Sequence, residues 1–230
     1  WEVTYWTGAY KDQVKRLETP DFGKGYDAIV YNFCFAAEQN TNACSNTINQ
    51  TKKNGVPAMH IHCAMHSFKA TYRHGVNREL MKDGVKQTKA SHNPKLVQEW
   101  EKNHPGEDFP AWGDFTGIAS IKHGPRKPIV VTAIKKDHPA VARLGEGYTT
   151  KNTELYNNFY ILDEVVPLAK GEQKINEDKT DTAVVMWECP QGKSKVIGLS
   201  LGHDVDDWKF DEFQNMIIDG INYLAENPSN

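Results

Sequence analysis

The stretch Gly55-Val-Pro-Ala-Met-His-Ile-His-Cys-Ala-Met-His-Ser-Phe68 constrains the fold of this chain more than any other. An apolar run follows a Gly and a Pro, as in a buried strand. It ends in small and polar residues, where a strand turns into the next element. His60, His62 and His66 fall within seven residues. Ligands in open α/β sheets bind outside the carboxyl ends of the strands, so a parallel strand here puts His62, Cys63 and His66 at such an end.

The flanking sequence supports that reading. Tyr26-Asp-Ala-Ile-Val-Tyr-Asn32 reads as a buried strand announced by Gly23 and Gly25, and Thr41 to Asn54 as a polar helix stopped by Gly55. Strand, helix and strand in succession argue for a parallel sheet with helices on its faces. Further strands are expected at Ile129–Ile134, Val165–Ala169, Ala183–Trp187 and Val196–Leu201, with Gln191-Gly192-Lys193 as the hairpin turn between the last two. Tyr26–Asn32, Pro57–His62, Ile129–Ile134 and Val196–Leu201 are expected to form a largely parallel sheet. Trp1–Trp6 alternates as a strand does. After Gly202-His203-Asp204, the residues Phe210, Phe213, Ile217, Ile221 and Leu224 recur at helical spacing and define a helix to about Ala225 that packs on the sheet. Residues 69–111 form a polar insertion with a short helical piece at Pro94–Lys102. No repeat or linker divides the chain, so residues 1–230 read as a single domain.

Composition narrows the function classes. The net charge is −3 with Lys and Arg scattered, which leaves no basic footprint for nucleic acid. No run approaches the eighteen or so apolar residues of a membrane span. Cys34, Cys44, Cys63 and Cys189 contain no CxxC, so neither a structural zinc site nor a disulfide framework is expected.

The candidate chemistry lies at strand ends. Residues two apart on a strand share a face, so His60 and His62 could bind one metal, as in amidohydrolases. Those are eight-fold barrels, and this chain is too short and too irregular in its βα spacing for one. His60 therefore reads as a strand residue bonded to its neighbours, and His62 and His66 as functional. Cys63 is either a nucleophile activated by a nearby His or a small buried thiol. His203 and Asp204 follow another strand, so two histidines from two strand ends can meet in one crevice. His, Asp and Glu together suit a divalent metal or general acid–base work. Glu154 is either a site carboxylate or a surface charge. His123, before Gly124-Pro125, stands in a rigid turn that suits a site. His74, His92 and His104 read as solvated, and His138 as a turn residue.

Taken in order, several of these segments resemble the ThuA-like family, named for trehalose utilisation. They are Tyr26–Asn32, Gly55–Phe68, Trp112–His123, Asp137-His-Pro139, Thr153-Glu-Leu-Tyr156, and Ser200-Leu-Gly-His-Asp204 with Trp208. The resemblance implies a flavodoxin-like, class I glutamine amidotransferase-like three-layer α/β sandwich with a mainly parallel sheet. It also implies that a first βα unit carrying a His-Asp turn precedes Trp1, so the domain is expected to be N-terminally incomplete. Amidotransferases place their Cys five residues after a strand-end Pro. Five residues after Pro57 is His62, so glutaminase activity does not carry over. The His-Cys-Ala-Met-His form is similar to versions in planctomycete-like and verrucomicrobial bacteria that often carry export signals, which implies a periplasmic or secreted location.

The family is associated with disaccharide catabolism through 3-keto sugars, which implies a small carbohydrate partner and isomerase, lyase or hydrolase chemistry. The expected catalytic residues are His62, Glu154, His203 and Asp204, with His62 and His203 as candidate ligands of a divalent metal ion. Asp204 is expected to orient His203. His66, Trp112, His123 and Tyr156 are expected to bind substrate. The competing reading is a non-catalytic carbohydrate-binding module using exposed aromatics such as Trp100, Trp112 and Tyr148. A flavin-binding reading needs a phosphate loop after a first strand, which this chain does not display.

Overall fold

The structure is a computed structural model that describes residues 1–73 and 92–227. Among the polar residues of the insertion, His74 lies outside the described residues. Helix α1 (Tyr10–Leu17) buries Val14 and Leu17, and strand β1 (Ile29–Tyr31) follows the glycine turn. Helix α2 (Thr41–Lys52) is capped by Asn40, whose side chain accepts from Ala43 N at 3.0 Å, and leads to β2 (Ala58–Ile61). After α3 (Pro94–Asn103) and the short α4 (Trp112–Thr116) come β3 (Ile118–Ala119), β4 (His123–Lys127), β5 (Val130–Ala133), β6 (Tyr148–Thr149), β7 (Thr153–Tyr156) and β8 (Tyr160–Ile161). The chain closes with β9 (Val166–Lys174), β10 (Thr180–Gln191), β11 (Ser194–Leu199) and α5 (Asp211–Glu226).

Seven strands form one sheet in the order β1-β2-β11-β10-β9-β5-β6, flanked by the two-stranded ladders β3-β8 and β4-β7. β1, β2 and β11 run parallel, with Tyr31 beside His60 and Ile61 beside Leu199. From β11 to β6 every pairing is antiparallel. The expected Ile129–Ile134 strand therefore departs from the parallel set. Three antiparallel steps separate β5 from β11, and an odd number of steps reverses direction. The turn between β10 and β11 needs glycine: Gly192 has φ +58°, and a Cβ there would lie 2.5 Å from the Lys52 carbonyl oxygen.

Alternation along the central strands feeds two cores. Ala58, Trp187, Cys189 and Val196 face a cluster with α1, α2 and α4, whereas Met59, Ile61, Ile197 and Leu199 face α5 and the Pro139–Val141 turn. Helices thus cover both faces, giving the three layers of an α/β sandwich. Helix α5 is rotated from its expected stripe. Phe213, Met216, Gly220 and Leu224 are buried, while Ile217 and Ile221 flank the contact half-buried.

Other expectations are corrected. Trp1–Trp6 joins no sheet: Trp1 is exposed and bonds Asn222, and Trp6 packs on Phe22 and under Arg16. His92 and His104 are not simply solvated, because His92 bonds the Thr71 carbonyl and His104 stacks on Trp100 at 3.7 Å. Among the described residues no helix is long and apolar enough to cross a membrane.

Candidate functional site

The parallel half of the sheet delivers two histidines to one place. β2 ends at Ile61 beside Leu199, so the next pair is His62 and Ser200. There His62 leaves the strand with φ +47°, a left-handed conformation that is uncommon outside glycine. Its Nδ1 donates to the Ser200 carbonyl at 3.1 Å. A carbonyl only accepts, so Nδ1 carries the hydrogen and Nε2 keeps its lone pair in the neutral ring. Gly202, with φ +110°, then folds the chain after β11 so that His203 Nδ1 lies 3.2 Å from His62 Nε2.

The β4-β7 ladder supplies the carboxylate. Glu154 is buried on β7, opposite Arg126 of β4. Its Oε2 lies 3.2 Å from His203 Nδ1, while Oε1 faces Arg126 Nε at 3.4 Å and His123 Nδ1 at 3.6 Å. His123 is the first residue of β4 rather than a turn residue; its Nδ1 donates to the Gly124 carbonyl, and its side chain is about half exposed. Asp207, absent from the sequence expectations, ties the two halves together. It is fully buried, accepting from Thr153 Oγ1 of β7 at 2.6 Å and from Asp204 N at 3.3 Å.

Tyr156 forms the next layer. Its hydroxyl lies 3.1 Å from His62 Nε2 and 3.4 Å from Cys63 Sγ, and its ring stacks on His66 at 4.0 Å. Burial raises the Tyr156 phenol well above its ordinary value and lowers His66 to about 3. His66 bonds Ser120 Oγ at 2.7 Å, and Ser120 donates in turn to Asn157 Oδ1. Neither Ser120 nor Asn157 was singled out from the sequence; each is an ordinary loop residue there.

Two expected site residues do something else. The Asp204 carboxylate accepts from Asp206 N and shapes the turn, and the group that holds His203 is Glu154. Trp112 is fully buried, and its indole donates to the Ala64 carbonyl at 3.0 Å, anchoring the His62–His66 turn from beneath. Trp100 and Tyr148 are also buried, so these three rings offer a binding module no exposed platform.

His62 Nε2, His203 Nδ1 and Glu154 Oε2 form a donor set whose ligand atoms lie within 4.8 Å of one another. Bonds of about 2.0–2.2 Å at right or tetrahedral angles put neighbouring ligands roughly 3.0–3.5 Å apart. The two 3.2 Å separations match that spacing, and the His62–Ser200 bond is the outer contact a ligating histidine uses. The residues therefore fit a divalent cation. Beside His123 and Tyr156 opens a cleft of about 470 Å³ whose walls include Lys122, Asn157, Asn158 and Thr182.

This is a three-layer α/β protein with a His/His/Glu cluster at the carboxyl ends of parallel strands. The model of the ThuA family, described as trehalose utilisation, matches residues 15–224, and the chain belongs to that family. No curated protein matches the sequence. Among solved structures, a ThuA-like protein of Parabacteroides merdae is similar at 15% identity and TM-score 0.60, covering 91% of this chain and 74% of its own. A ThuA-like protein of Bacteroides uniformis is similar at 13% identity and TM-score 0.56, with 87% and 70% covered. A cytoplasmic protein of Salmonella typhimurium is similar at 9% identity and TM-score 0.52, with 94% and 76% covered. At these identities the likeness establishes the shared flavodoxin-like sandwich alone.

Proposed function

We propose that this protein processes a sugar bearing a keto group, by isomerisation, elimination or hydrolysis, at the His62–Glu154–His203 cluster loaded with a divalent cation. The trehalose-utilisation family supports a carbohydrate substrate. The observation that carries the chemistry is the pair of 3.2 Å approaches, to His62 Nε2 and to Glu154 Oε2, made by His203 Nδ1.

His62 Nε2, His203 Nδ1 and Glu154 Oε2 would hold the cation, with Arg126 fixing the other carboxylate oxygen. A cation bound there supplies a Lewis acid for the oxygen of a carbonyl or enediolate. A keto group acidifies the neighbouring C–H, and a base must take that proton. His123 suits that role, because Nδ1 is committed to the Gly124 carbonyl, so Nε2 carries the lone pair, and the ring is solvent-accessible beside the cleft. His123 Nε2 takes the proton from carbon and returns it to the adjacent carbon in isomerisation, while the hydroxyl proton passes from one oxygen of the enediolate to the other, or gives it to the departing glycosidic oxygen in elimination. Lys122, Asn157 and Asn158 offer hydrogen bonds to sugar hydroxyls.

Titration of chelator-treated protein with cobalt(II), followed by visible absorption, tests the metal part. Binding is expected in the wild type and its loss in His62→Ala, His203→Ala and Glu154→Gln, each with a nearly unchanged melting temperature. Cobalt binding that these changes leave intact removes the cation from the proposal. Turnover of 3-keto-disaccharides is expected beside weaker binding of the unoxidised sugars; binding without turnover would make the protein a carbohydrate-binding module.

A further inference from the structure

The site borders a feature that the proposed reaction does not use. In the β1-β2 pairing Ile29 lies beside Ala58, Val30 beside Met59 and Tyr31 beside His60. Cys34 lies three residues after Tyr31 and Cys63 three after His60, in the segments that leave the two strands. The two segments stay docked there, since Phe35 N donates to Ser67 Oγ at 2.9 Å and Phe68 N donates to the Phe35 carbonyl at 3.0 Å. The Cys34 and Cys63 thiols lie close enough for each to shift the ionisation of the other. Cys34 is exposed and Cys63 half-buried, whereas Cys44 and Cys189 are buried in the core.

We propose that Cys34 and Cys63 are a redox pair that closes reversibly into a disulfide beside the His62 cluster, with a hydroperoxide as oxidant and a dithiol as reductant. Access selects Cys34 as the attacking sulfur. The neighbouring Cys63 thiol also lowers that of Cys34 to about 6, which favours the thiolate at neutral pH.

The thiolate sulfur bonds to the outer peroxide oxygen as the O–O bond breaks, and the departing oxygen leaves as water or alcohol after taking a proton. Cys34 becomes a sulfenic acid, oxidised by two electrons. The Cys63 sulfur then attacks the Cys34 sulfur. The S–S bond forms, the S–O bond breaks, and hydroxide leaves with the Cys63 proton as water. A dithiol reverses the bond by exchange, becoming a disulfide itself. Closure turns Cys63 Sγ away from the Tyr156 hydroxyl, leaving that hydroxyl to His62 Nε2.

The full chain, treated with hydrogen peroxide and alkylated under denaturing, non-reducing conditions, tests the pair by intact mass and peptide mapping. The expected result is a loss of about 2 Da, two fewer alkylated thiols and one linked peptide pair containing Cys34 and Cys63, all reversed by dithiothreitol. Cys63→Ser should lose the link and yield a dimedone-trapped sulfenic acid at Cys34. Wild-type protein that forms no Cys34–Cys63 link overturns the proposal, whether its thiols stay reduced, oxidise singly or link through Cys44 or Cys189. This test reads thiol chemistry alone and is independent of metal loading and sugar turnover.

Discussion

At the residue scale, His60 and His62 show how far two neighbouring histidines diverge. On an unbroken strand they would share a face. His60 stays in β2, stacked on Tyr31 and edge-on to Trp112 and Phe115 with neither ring nitrogen bonded, while His62 turns out of the strand. The expectation that His60 bonds its neighbours is therefore corrected to aromatic packing. Burial lowers both His60 and His66 to about 3. The unfolded chain takes up these protons below a pH of about 6.5 and the folded protein refuses them. Stability is thus fully present above that value, then falls by about 1.4 kcal/mol per pH unit for each histidine until about pH 3. In chelator-treated protein, His60→Leu should raise stability at neutral pH by about 1–3 kcal/mol, since it removes two unpaired buried polar atoms. It should also flatten the acid limb of a urea-unfolding series between pH 6 and 4. An acid limb as steep as the wild type's would refute this account of His60. The strand-end rule made His62 and His203 legible, because it depends only on where an apolar run stops. Glu154, Arg126 and Asp207 meet through cross-strand pairing, which single-sequence periodicity does not encode, so only Glu154 was named, and its catalytic role came from the family resemblance rather than from its spacing.

At the element scale, the parallel β1-α2-β2 unit was legible because its strands are short apolar runs separated by a capped helix. The antiparallel half was harder to read. β9 and β10 extend through Lys170, Glu172 and Glu188, charges that hide all but their apolar stretches. Cross-strand packing fixes their join to β11. Trp187 pairs with Gly198, and a Cβ on Gly198 would lie 2.1 Å from the indole ring. Gly198→Ala must displace a fully buried tryptophan that donates to the Thr116 carbonyl. A loss of about 3 kcal/mol or more is expected from overpacking, with a red-shifted tryptophan emission. A variant as stable as wild type would show that the indole moves freely. Asp207→Ala breaks the link from β7 to the loop carrying His203. It should cost about 1.5–3 kcal/mol in chemical unfolding and weaken cobalt(II) binding by roughly 10- to 100-fold, since it frees His203 from its support.

At the scale of the whole molecule, the donor cluster exists only when distant parts of the chain are folded together. His62 follows β2, Glu154 lies on β7 and His203 follows β11, and the two histidines stand 141 positions apart. An unfolded chain cannot hold three donors that far apart in one geometry, so a cation bound by all three binds the native state in preference. Such a ligand stabilises by RT ln(1 + [L]/Kd), about 2.7 kcal/mol at one hundred times Kd. For a domain of this size each kcal/mol moves the midpoint by roughly 2–4 °C, so saturating zinc should raise the melting temperature of chelator-treated protein by roughly 5–11 °C. Glu154→Gln keeps the shape of the residue but replaces an anionic ligand with a poor one. It should melt near the metal-free wild type and show almost no zinc shift. His123→Ala, which removes a contact to the outer carboxylate oxygen and none of the three donors, should keep most of the shift. A rise of equal size in wild type and Glu154→Gln would place the zinc elsewhere on the surface. No rise in wild type at millimolar zinc would leave the cluster to acid–base chemistry, with His62, Glu154 and His203 exchanging protons directly.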